Sequence, residues 1–230
     1  MTLAVVVPVL NEAATLEAAL LRLAPLRERG ARVIVVDGGS GDDTAARAAP
    51  LADRVLAAAR GRALQMNAGA RADEAATASV LLFLHADTQL PEDADRIIER
   101  ALADGEHCWG RFDVRLDAAG WPLRLIETMM NWRSRLTGIA TGDQAIFVTR
   151  AAFDWLHGFA PLPLMEDIDF CSRARRLTRP AALRSRVRTS ARRWQRHGLW
   201  RTVALMWSLR LAYFFGADPA ALARRYRDAR

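Results

Sequence analysis

Two carboxylates each follow a buried apolar run, where they could bind a substrate. Residues 80–84 are all apolar and lead to His85-Ala86-Asp87, and residues 32–36 are followed by Asp37 and a Gly-rich turn. Ligands of open α/β sheets bind beyond the carboxyl ends of the strands, so both side chains should face one crevice. Asp37 can accept hydrogen bonds from a ribose hydroxyl or a base N–H, and Asp87 can hold a divalent cation that binds a diphosphate. This pattern predicts a nucleotide diphosphate site.

A second acidic pair opens a predicted helix over residues 166–177, where a carboxylate could act as a base. Glu166 and Asp167 lie in its first turn, and the helix dipole keeps a carboxylate there ionised. An ionised carboxylate can deprotonate an attacking hydroxyl. The alternative is that first-turn acids merely stabilise the helix. Glu166, Asp167 and Asp169 all lie in this turn, so the pattern by itself leaves both interpretations open.

The elements that must position these groups alternate along the chain. Asn11 is a suitable N-cap for the first helix. Hydrophobic patterns predict strands over residues 3–9, 32–36, 54–57, 80–84, 107–116 and 144–149, and helices over residues 12–27, 61–71, 91–102, 122–135 and 166–177. Alternating strands and helices indicate an α/β fold whose mostly parallel sheet is flanked by helices.

Length and composition limit the remaining choices. The 230 residues suit one domain, which we place at residues 1–190, with a helical basic extension over residues 191–230 packed on it. All 33 basic residues are Arg, so a Walker-type phosphate lysine and a Schiff-base lysine are both excluded. The loop after the first strand has no glycine, which argues against a dinucleotide fingerprint.

Charge is distributed unevenly along the chain. Residues 1–170 hold 17 Arg and 24 acids, a net charge of −7, whereas residues 171–230 hold 16 Arg and 2 acids, a net charge of +14. This asymmetry indicates an anionic partner, such as phosphates or an acidic membrane surface; an Arg-rich solvated face is the alternative. No nucleic-acid motif accompanies the basic region, so we expect no nucleic-acid partner.

The region over residues 192–215 is basic, aromatic and amphipathic. It fits an interfacial membrane helix, and it fits equally a helix buried in the core or in a homodimer contact. Cys108 and Cys171 have no metal-binding or redox spacing, and the N-terminus lacks the pattern of a signal peptide. We therefore expect a cytoplasmic protein and leave open whether it also associates peripherally with the inner face of the membrane.

Six motifs run in order from Val7 to Trp194: VPVLNE, VVDGGSGDDT, HADT, TGDQAIF, MEDIDF and TSARRW. Together they resemble the inverting glycosyltransferase family 2, which has the GT-A nucleotide-sugar fold. Within that family the chain resembles most the short bacterial rSAM/selenodomain-associated transferases. The resemblance implies transfer of a sugar from a nucleotide-diphosphate donor, UDP-linked, to an acceptor hydroxyl with Mg²⁺ or Mn²⁺. Lipid-linked acceptors, frequent in this family, favour the membrane interpretation of the C-terminal helix.

Carried over by position, the resemblance assigns roles to residues of this chain. Donor binding falls to side chains that line the nucleotide pocket or lie over base and ribose: Pro8, Asn11, Glu12, Asp37, Arg62, Gln65 and Asn67. Asp87 matches the last carboxylate of the metal-binding DxD motif. Asp167 matches the catalytic base, with Glu166 beside it and Arg193 stabilising the leaving diphosphate. Binding of the acceptor is assigned to the loop formed by Thr141, Gly142, Asp143 and Gln144, and to Trp194.

Two positions depart from the family pattern. His85 stands where the first carboxylate of DxD is expected, so it could ligate the metal, contact phosphate or cap the strand. Ser190 stands where the QxxRW motif has Gln. These departures leave open the alternative that the chain is a degenerate transferase, which binds nucleotide sugars but does not catalyse transfer. A sugar nucleotidyltransferase is the other alternative, but it needs a glycine-rich, basic phosphate loop after the first strand, which is missing here.

Overall fold

A computed structural model describes residues 1–192 and 198–228 of the chain. The described residues form one eight-stranded sheet. Its strands are β1 (Leu3–Val9), β2 (Arg32–Asp37), β3 (Arg54–Ala57), β4 (Val80–Phe83), β5 (Thr88–Gln89), β6 (Trp109–Leu116), β7 (Ile146–Thr149) and β8 (Ala181–Thr189).

The helices flank this sheet and follow the strands in alternation. In chain order they are α1 (Leu16–Leu21), α2 (Ala24–Glu28), α3 (Thr44–Ala48), α4 (Arg62–Ala70), α5 (Asp73–Ala76), α6 (Ala94–Leu102), α7 (Trp121–Thr137), α8 (Arg150–Trp155), α9 (Glu166–Ala174), α10 (Leu199–Phe214) and α11 (Pro219–Asp228). A 3₁₀ turn, Gly142–Gln144, precedes β7.

The strand order is β3-β2-β1-β4-β7-β6-β8-β5. Strands β3, β2, β1 and β4 are mutually parallel, β7 is antiparallel to β4 and β6, and β8 is parallel to β6. The predicted α/β class with a mostly parallel sheet is therefore confirmed. Because β1, β2 and β4 run the same way, the loops that follow them share one edge of the sheet.

Apolar side chains from both faces of the sheet form two cores. Val5 and Val7 of β1 lie in one core with α1, α2 and α6, whereas Val6 and Ile34 lie in the other with α4, α8 and α9. Successive residues of a strand point to opposite faces, so a strand covered on both sides is apolar throughout. This explains the uninterrupted apolar runs of β1, β2 and β4.

Two local predictions were wrong. The helix expected over residues 12–27 is two short helices, because Pro25 lies in the first turn of α2 and cannot donate a backbone hydrogen bond to α1. Asn11 is no N-cap: it has φ of 54° and its side chain joins another loop. Strand β8 was not predicted, although Arg184, Arg186 and Arg188 alternate with less exposed residues.

The described part of the C-terminal extension packs on the rest of the protein. Leu199 and Val203 of α10 pack against the apolar cluster that contains Leu123 and Ile126 of α7, and Leu209 lies in a cluster with Met165. The division into residues 1–190 and 191–230 remains a prediction. Among the described helices, none combines the length and apolarity needed to cross a membrane.

Candidate functional site

The loops after β1 and β2 are joined by hydrogen bonds at the shared edge of the sheet. The N–H of Asn11 donates to Oγ of Ser40 (2.9 Å), and the N–H of Gly41 donates to Oδ1 of Asn11 (2.8 Å). Asp37 accepts from the N–H groups of Gly39 (3.2 Å) and Ser40 and from the Ser40 hydroxyl. The predicted donor residues Asn11 and Asp37 are thus brought together in one loop pair.

Glu12 and Pro8 belong to the same edge. The N–H of Glu12 donates to Oγ1 of Thr44 (2.9 Å), and its Oε2 accepts from the hydroxyl of Thr15 (3.1 Å). Pro8 is half-buried near the end of β1 and pairs in register with Val36. Sequence reasoning missed Ser40 and Thr44, although both lie inside the VVDGGSGDDT motif.

The side chains of Gln65 and Asn67 form hydrogen bonds with the backbone of neighbouring segments. Nε2 of the buried Gln65 donates to the carbonyls of Val9 and Val36, both at 2.8 Å, which ties the ends of β1 and β2. The amide of Asn67 donates to the carbonyl of Phe159 (2.8 Å) and accepts from its N–H (2.9 Å). Both residues therefore contribute to the structure, and their assignment to donor binding stays a prediction.

Asp87 lies between β4 and the end of β8. Its backbone carbonyl accepts from the N–H of Ser190 (3.2 Å), which brings the HADT and TSARRW motifs together. The Asp87 carboxylate has no hydrogen bond or ion pair with any described side chain. It is the sort of hard oxygen ligand that a divalent cation takes together with phosphates. The described residues hold no cluster of three His, Cys, Asp or Glu that could bind a metal by itself.

His85 contacts the loop that contains Gly142 and Asp143. Its Nδ1 lies 3.2 Å from Oδ1 of Asp143, and a Cβ built at Gly142 would overlap its Nε2. One ring nitrogen thus faces a carboxylate and the other lies against the Gly142 backbone. This placement favours a fourth role, positioning of the loop, over ligation of a metal, which was one of the three roles left open by the sequence.

Asp167 is anchored at the N-terminus of α9. Its Oδ2 accepts from the N–H of Gly142 (2.9 Å), and its Oδ1 accepts from the N–H of Ile168 (2.7 Å). Met165, the residue before α9, has φ of 70°, an uncommon backbone conformation that costs energy in a non-Gly residue. The two hydrogen bonds from Gly142 and Ile168 fix the orientation of this carboxylate.

Glu166 is buried beside Asp167. Burial raises the pKa of its carboxyl, and the negative charge of Asp167 raises the same pKa further. Arg62 lies near this pair: desolvation lowers the pKa of its guanidinium, but Glu166 and Asp143 outweigh that effect and raise it. The structure thus places Arg62 beside the acidic pair.

One cavity of about 170 Å³ gathers these groups. Its polar end holds Arg62, His85, Gly142, Asp143, Glu166 and Asp167. Its walls are mostly apolar and come from α7, α10 and the segment before α9: Leu125, Ile126, Met129, Met130, Leu164, Met165, Trp200, Val203, Met206 and Trp207. The cavity therefore combines a carboxylate that could act as a base with walls that are mostly apolar.

Two arginines in the cavity wall were missed by sequence reasoning. Burial, reinforced by the positive charge of Arg210, lowers the pKa of Arg133 to about 10, and burial lowers the pKa of Arg210 too. Nη2 of Arg133 and Nε of Arg210 are buried without a hydrogen-bond partner among the described residues. The negative charge of Asp167 partly offsets the lowering of both pKa values, which places the two guanidinium groups near this carboxylate. No local motif marks them, because each lies on a helix whose neighbours the sequence does not reveal.

The remaining acceptor-side predictions have different outcomes. Gln144 is fully buried; its Oε1 accepts from the N–H of Thr141 (3.3 Å) and its Nε2 donates to the carbonyl of Phe112 (3.4 Å), so it shapes the loop. Gly142 and Asp143 line the cavity, as predicted. Arg193 and Trp194 lie outside the described residues.

Comparison with known proteins identifies what this arrangement resembles. The sequence model of the family described as "Glycosyl transferase family 2" matches residues 4–153, which include β1 to β7. No curated protein sequence matches the chain significantly.

Solved structures share the fold at low sequence identity. Glucosyl-3-phosphoglycerate synthase from Mycobacterium tuberculosis, in complex with Mn²⁺, UDP and glucosyl-3-phosphoglycerate, has a TM-score of 0.60 and 20% identity over 82% of this chain and 70% of its own. The mannosyltransferase PcManGT from Pyrobaculum calidifontis, with GDP-Man and Mn²⁺, has a TM-score of 0.64 and 20% identity over 96% of this chain and 68% of its own. S. aureus TarS 1-349 with UDP-GlcNAc has a TM-score of 0.64 and 16% identity over 83% of this chain, but this chain spans only 58% of it.

Proposed function

Because the chain belongs to glycosyltransferase family 2, we propose that it moves a sugar from a nucleotide diphosphate to an acceptor hydroxyl, with inversion. The observation that carries this proposal is the position of Asp167. Its carboxylate is fixed by two backbone N–H groups, faces Arg133 and Arg210, and lines an apolar cavity. A base so placed suits a hydroxyl compound that enters the cavity.

The donor half of the proposal rests on the paired loops after β1 and β2. Asp37 and Asn11 hold these loops with their side chains and present polar atoms at the edge of the sheet. The structural neighbours carry UDP or GDP-Man, which supports a nucleotide-diphosphate sugar. We propose a UDP-linked donor, with Arg62 between the donor and the acidic pair.

These positions support the following reaction. Asp167 takes the proton of the acceptor hydroxyl while the oxygen attacks the anomeric carbon from the side opposite the diphosphate. The new C–O bond forms as the bond to the diphosphate oxygen breaks, and the configuration inverts. Asp143 and His85 hold the Gly142 backbone against Asp167 during this step. We assign stabilisation of the departing diphosphate to Arg193 and a contact with the acceptor to Trp194.

The residues present fit a divalent cation shared with the substrate. Asp87 supplies one carboxylate that pairs with no described side chain, which matches Mg²⁺ or Mn²⁺ held by one or two carboxylates and by substrate phosphates. When bound there, the cation neutralises negative charge on the leaving diphosphate. Mn²⁺ in two neighbours supports this assignment.

The acceptor is proposed to be a hydroxyl compound with a lipid chain. The cavity walls beyond Asp167 are formed largely by Met, Leu and Trp side chains, which match an apolar chain rather than a free sugar. The protein would then act from the cytoplasm at the inner face of the membrane.

Calorimetric titration of the full chain with UDP and with GDP, each with Mn²⁺ and with EDTA, tests the donor half. We expect Mn²⁺-dependent binding of UDP that Asp37→Ala weakens at least tenfold, because the loop pair loses its central acceptor. The exposed Asp73→Ala is the control. Absence of nucleotide binding under every condition would instead support the degenerate alternative suggested by His85 and Ser190.

A further inference from the structure

An exposed apolar stripe runs along the whole of α7. Its members recur every three or four residues on one helix face and are 43% to 73% exposed: Trp121, Leu125, Met129, Trp132 and Leu136. The opposite face of α7 holds the buried Leu123, Ile126 and Ser134. Solitary apolar residues on a surface need no explanation, but a continuous stripe marks an interaction site.

Helix α10 extends this apolar surface. Its exposed members are Trp200, Trp207, Leu211 and Phe214, and Phe215 follows directly after the helix. Leu125 and Met129 of α7, and Trp200 and Trp207 of α10, line the catalytic cavity and are exposed as well. These four residues therefore form the mouth of the cavity, and the apolar surface surrounds the route to Asp167.

A basic pocket adjoins the stripe at the start of α7. It is lined by Arg115, Arg188, Arg124 and Trp121, with Asp117 as its acid. Arg115 and Arg188 are direct neighbours in the register of β6 and β8, so their like charges repel each other and an anion bound between them would relieve that repulsion. Neither forms an ion pair with a described carboxylate, and the same holds for every described Arg after residue 174.

We propose that the face formed by α7 and α10 docks on an anionic lipid bilayer, with a headgroup phosphate bound by Arg115 and Arg188. Trp121 belongs both to the stripe and to the basic pocket, so the apolar and cationic parts are continuous. Aromatic side chains at the interface with arginines at the headgroups are the pattern of interfacial binding. This inference rests on the proposed function, because it explains how an acceptor with a lipid chain reaches the cavity.

A second copy of the chain suits this face less well. In a two-fold dimer the same patch meets itself, which would bring the arginine pockets of both copies into one interface. Such a dimer would also close the mouth of the cavity. A bilayer instead covers the mouth and supplies the acceptor.

Flotation of the full chain with phosphatidylcholine vesicles, with and without phosphatidylglycerol, tests the proposal. We expect binding to the anionic vesicles that falls as salt is raised. Trp132→Ser with Leu136→Ser should reduce partitioning at least tenfold. Arg115→Ser with Arg188→Ser should reduce it about tenfold or more and remove the preference for the anionic lipid.

Two matched controls keep the result specific. Trp155→Ser removes an equally exposed tryptophan from α8, and Arg71→Ser with Arg96→Ser removes two exposed arginines elsewhere; both should bind vesicles like the unchanged chain. Equal binding to neutral and anionic vesicles, or an equal loss in the controls, would overturn the proposal. So would a dimer, seen by analytical ultracentrifugation, that Trp132→Ser with Leu136→Ser dissociates.

Calorimetry with UDP and Mn²⁺ on the same preparations separates this inference from the proposed function. All of these variants should keep the UDP affinity of the unchanged chain. Vesicle binding without nucleotide binding would refute the donor assignment and leave the docking surface standing. Nucleotide binding without vesicle binding would refute the docking surface alone.

Discussion

The backbone N–H of Gly142 donates a 2.9 Å hydrogen bond to Oδ2 of Asp167. This bond joins the loop before β7 to the start of α9, so the TGDQAIF and MEDIDF motifs act as one unit. The loop itself is held by His85, which contacts Asp143. The orientation of the proposed base thus depends on a residue 82 positions earlier in the chain.

Replacement of Asp167 by Asn should abolish transfer while leaving donor binding nearly unchanged. Asn keeps an oxygen that can accept from Gly142 but cannot take a proton, and a general base contributes roughly 10²- to 10⁴-fold to rate. The measurements are release of nucleotide diphosphate from a nucleotide sugar and calorimetric UDP affinity. Asp169→Asn, whose native side chain pairs with Arg173, is the control that should keep transfer. Loss of UDP affinity in Asp167→Asn would mean that the base has been misplaced.

Replacement of Gly142 by Ala should destabilise the protein through His85. The added Cβ would overlap the imidazole ring, and such overpacking costs about 1–3 kcal/mol of unfolding free energy. The same change in a His85→Ala background should cost clearly less, because the ring is gone. A double-mutant cycle by urea denaturation measures the difference. Equal costs in both backgrounds would show that His85 does not pack on Gly142.

Replacement of Glu166 by Gln should make stability less dependent on pH. Burial and the charge of Asp167 raise the pKa of this carboxyl in the folded state. From about pH 4.5 up to that raised pKa, the folded chain holds the proton more tightly than the unfolded chain, so the free energy of unfolding falls as pH rises. Urea denaturation between pH 5 and 8 should therefore show a shallower decline for Glu166→Gln and a higher stability at pH 8. Glu92→Gln, an exposed control, should keep the native slope; an unchanged slope in Glu166→Gln would contradict the burial argument.

The periodicity of apolar residues predicted most of the sheet, because strands covered on both faces are apolar without interruption. Strands β1, β2, β3 and β4 were all predicted to within about a residue. Strand β8 was missed because its exposed face consists of arginines. An alternating pattern of apolar and charged residues indicates a strand less clearly than an uninterrupted apolar run does. The sequence predicted one continuous first helix, because the helical spacing of its apolar residues continues past Pro25. This proline interrupts the backbone hydrogen bonds of the helix but not the spacing of the apolar residues.

The candidate site was predictable only where a motif marks it. Gly142, Asp143, Glu166 and Asp167 occur in short motifs and meet in one cavity. Gln65 lies in a recognisable stretch too, yet its amide is engaged by two carbonyls that belong to separate strands, a relationship that only the folded chain reveals. Arg133 and Arg210 come together from helices far apart in sequence, so no local pattern could have indicated them.

Replacement of Asp87 by Ala should remove the metal dependence of nucleotide binding. The family pattern has two carboxylates in this motif, whereas here His85 replaces the first and its ring faces Asp143 and Gly142. In the proposed site Asp87 is the ligand that the chain contributes, and diphosphate and water would take the remaining positions. In the unchanged chain, EDTA should weaken UDP binding at least tenfold. In Asp87→Ala, calorimetry should give the same low UDP affinity with Mn²⁺ as with EDTA, while the exposed control Asp93→Ala retains the full response. A response to EDTA that survives in Asp87→Ala would assign the cation to other ligands.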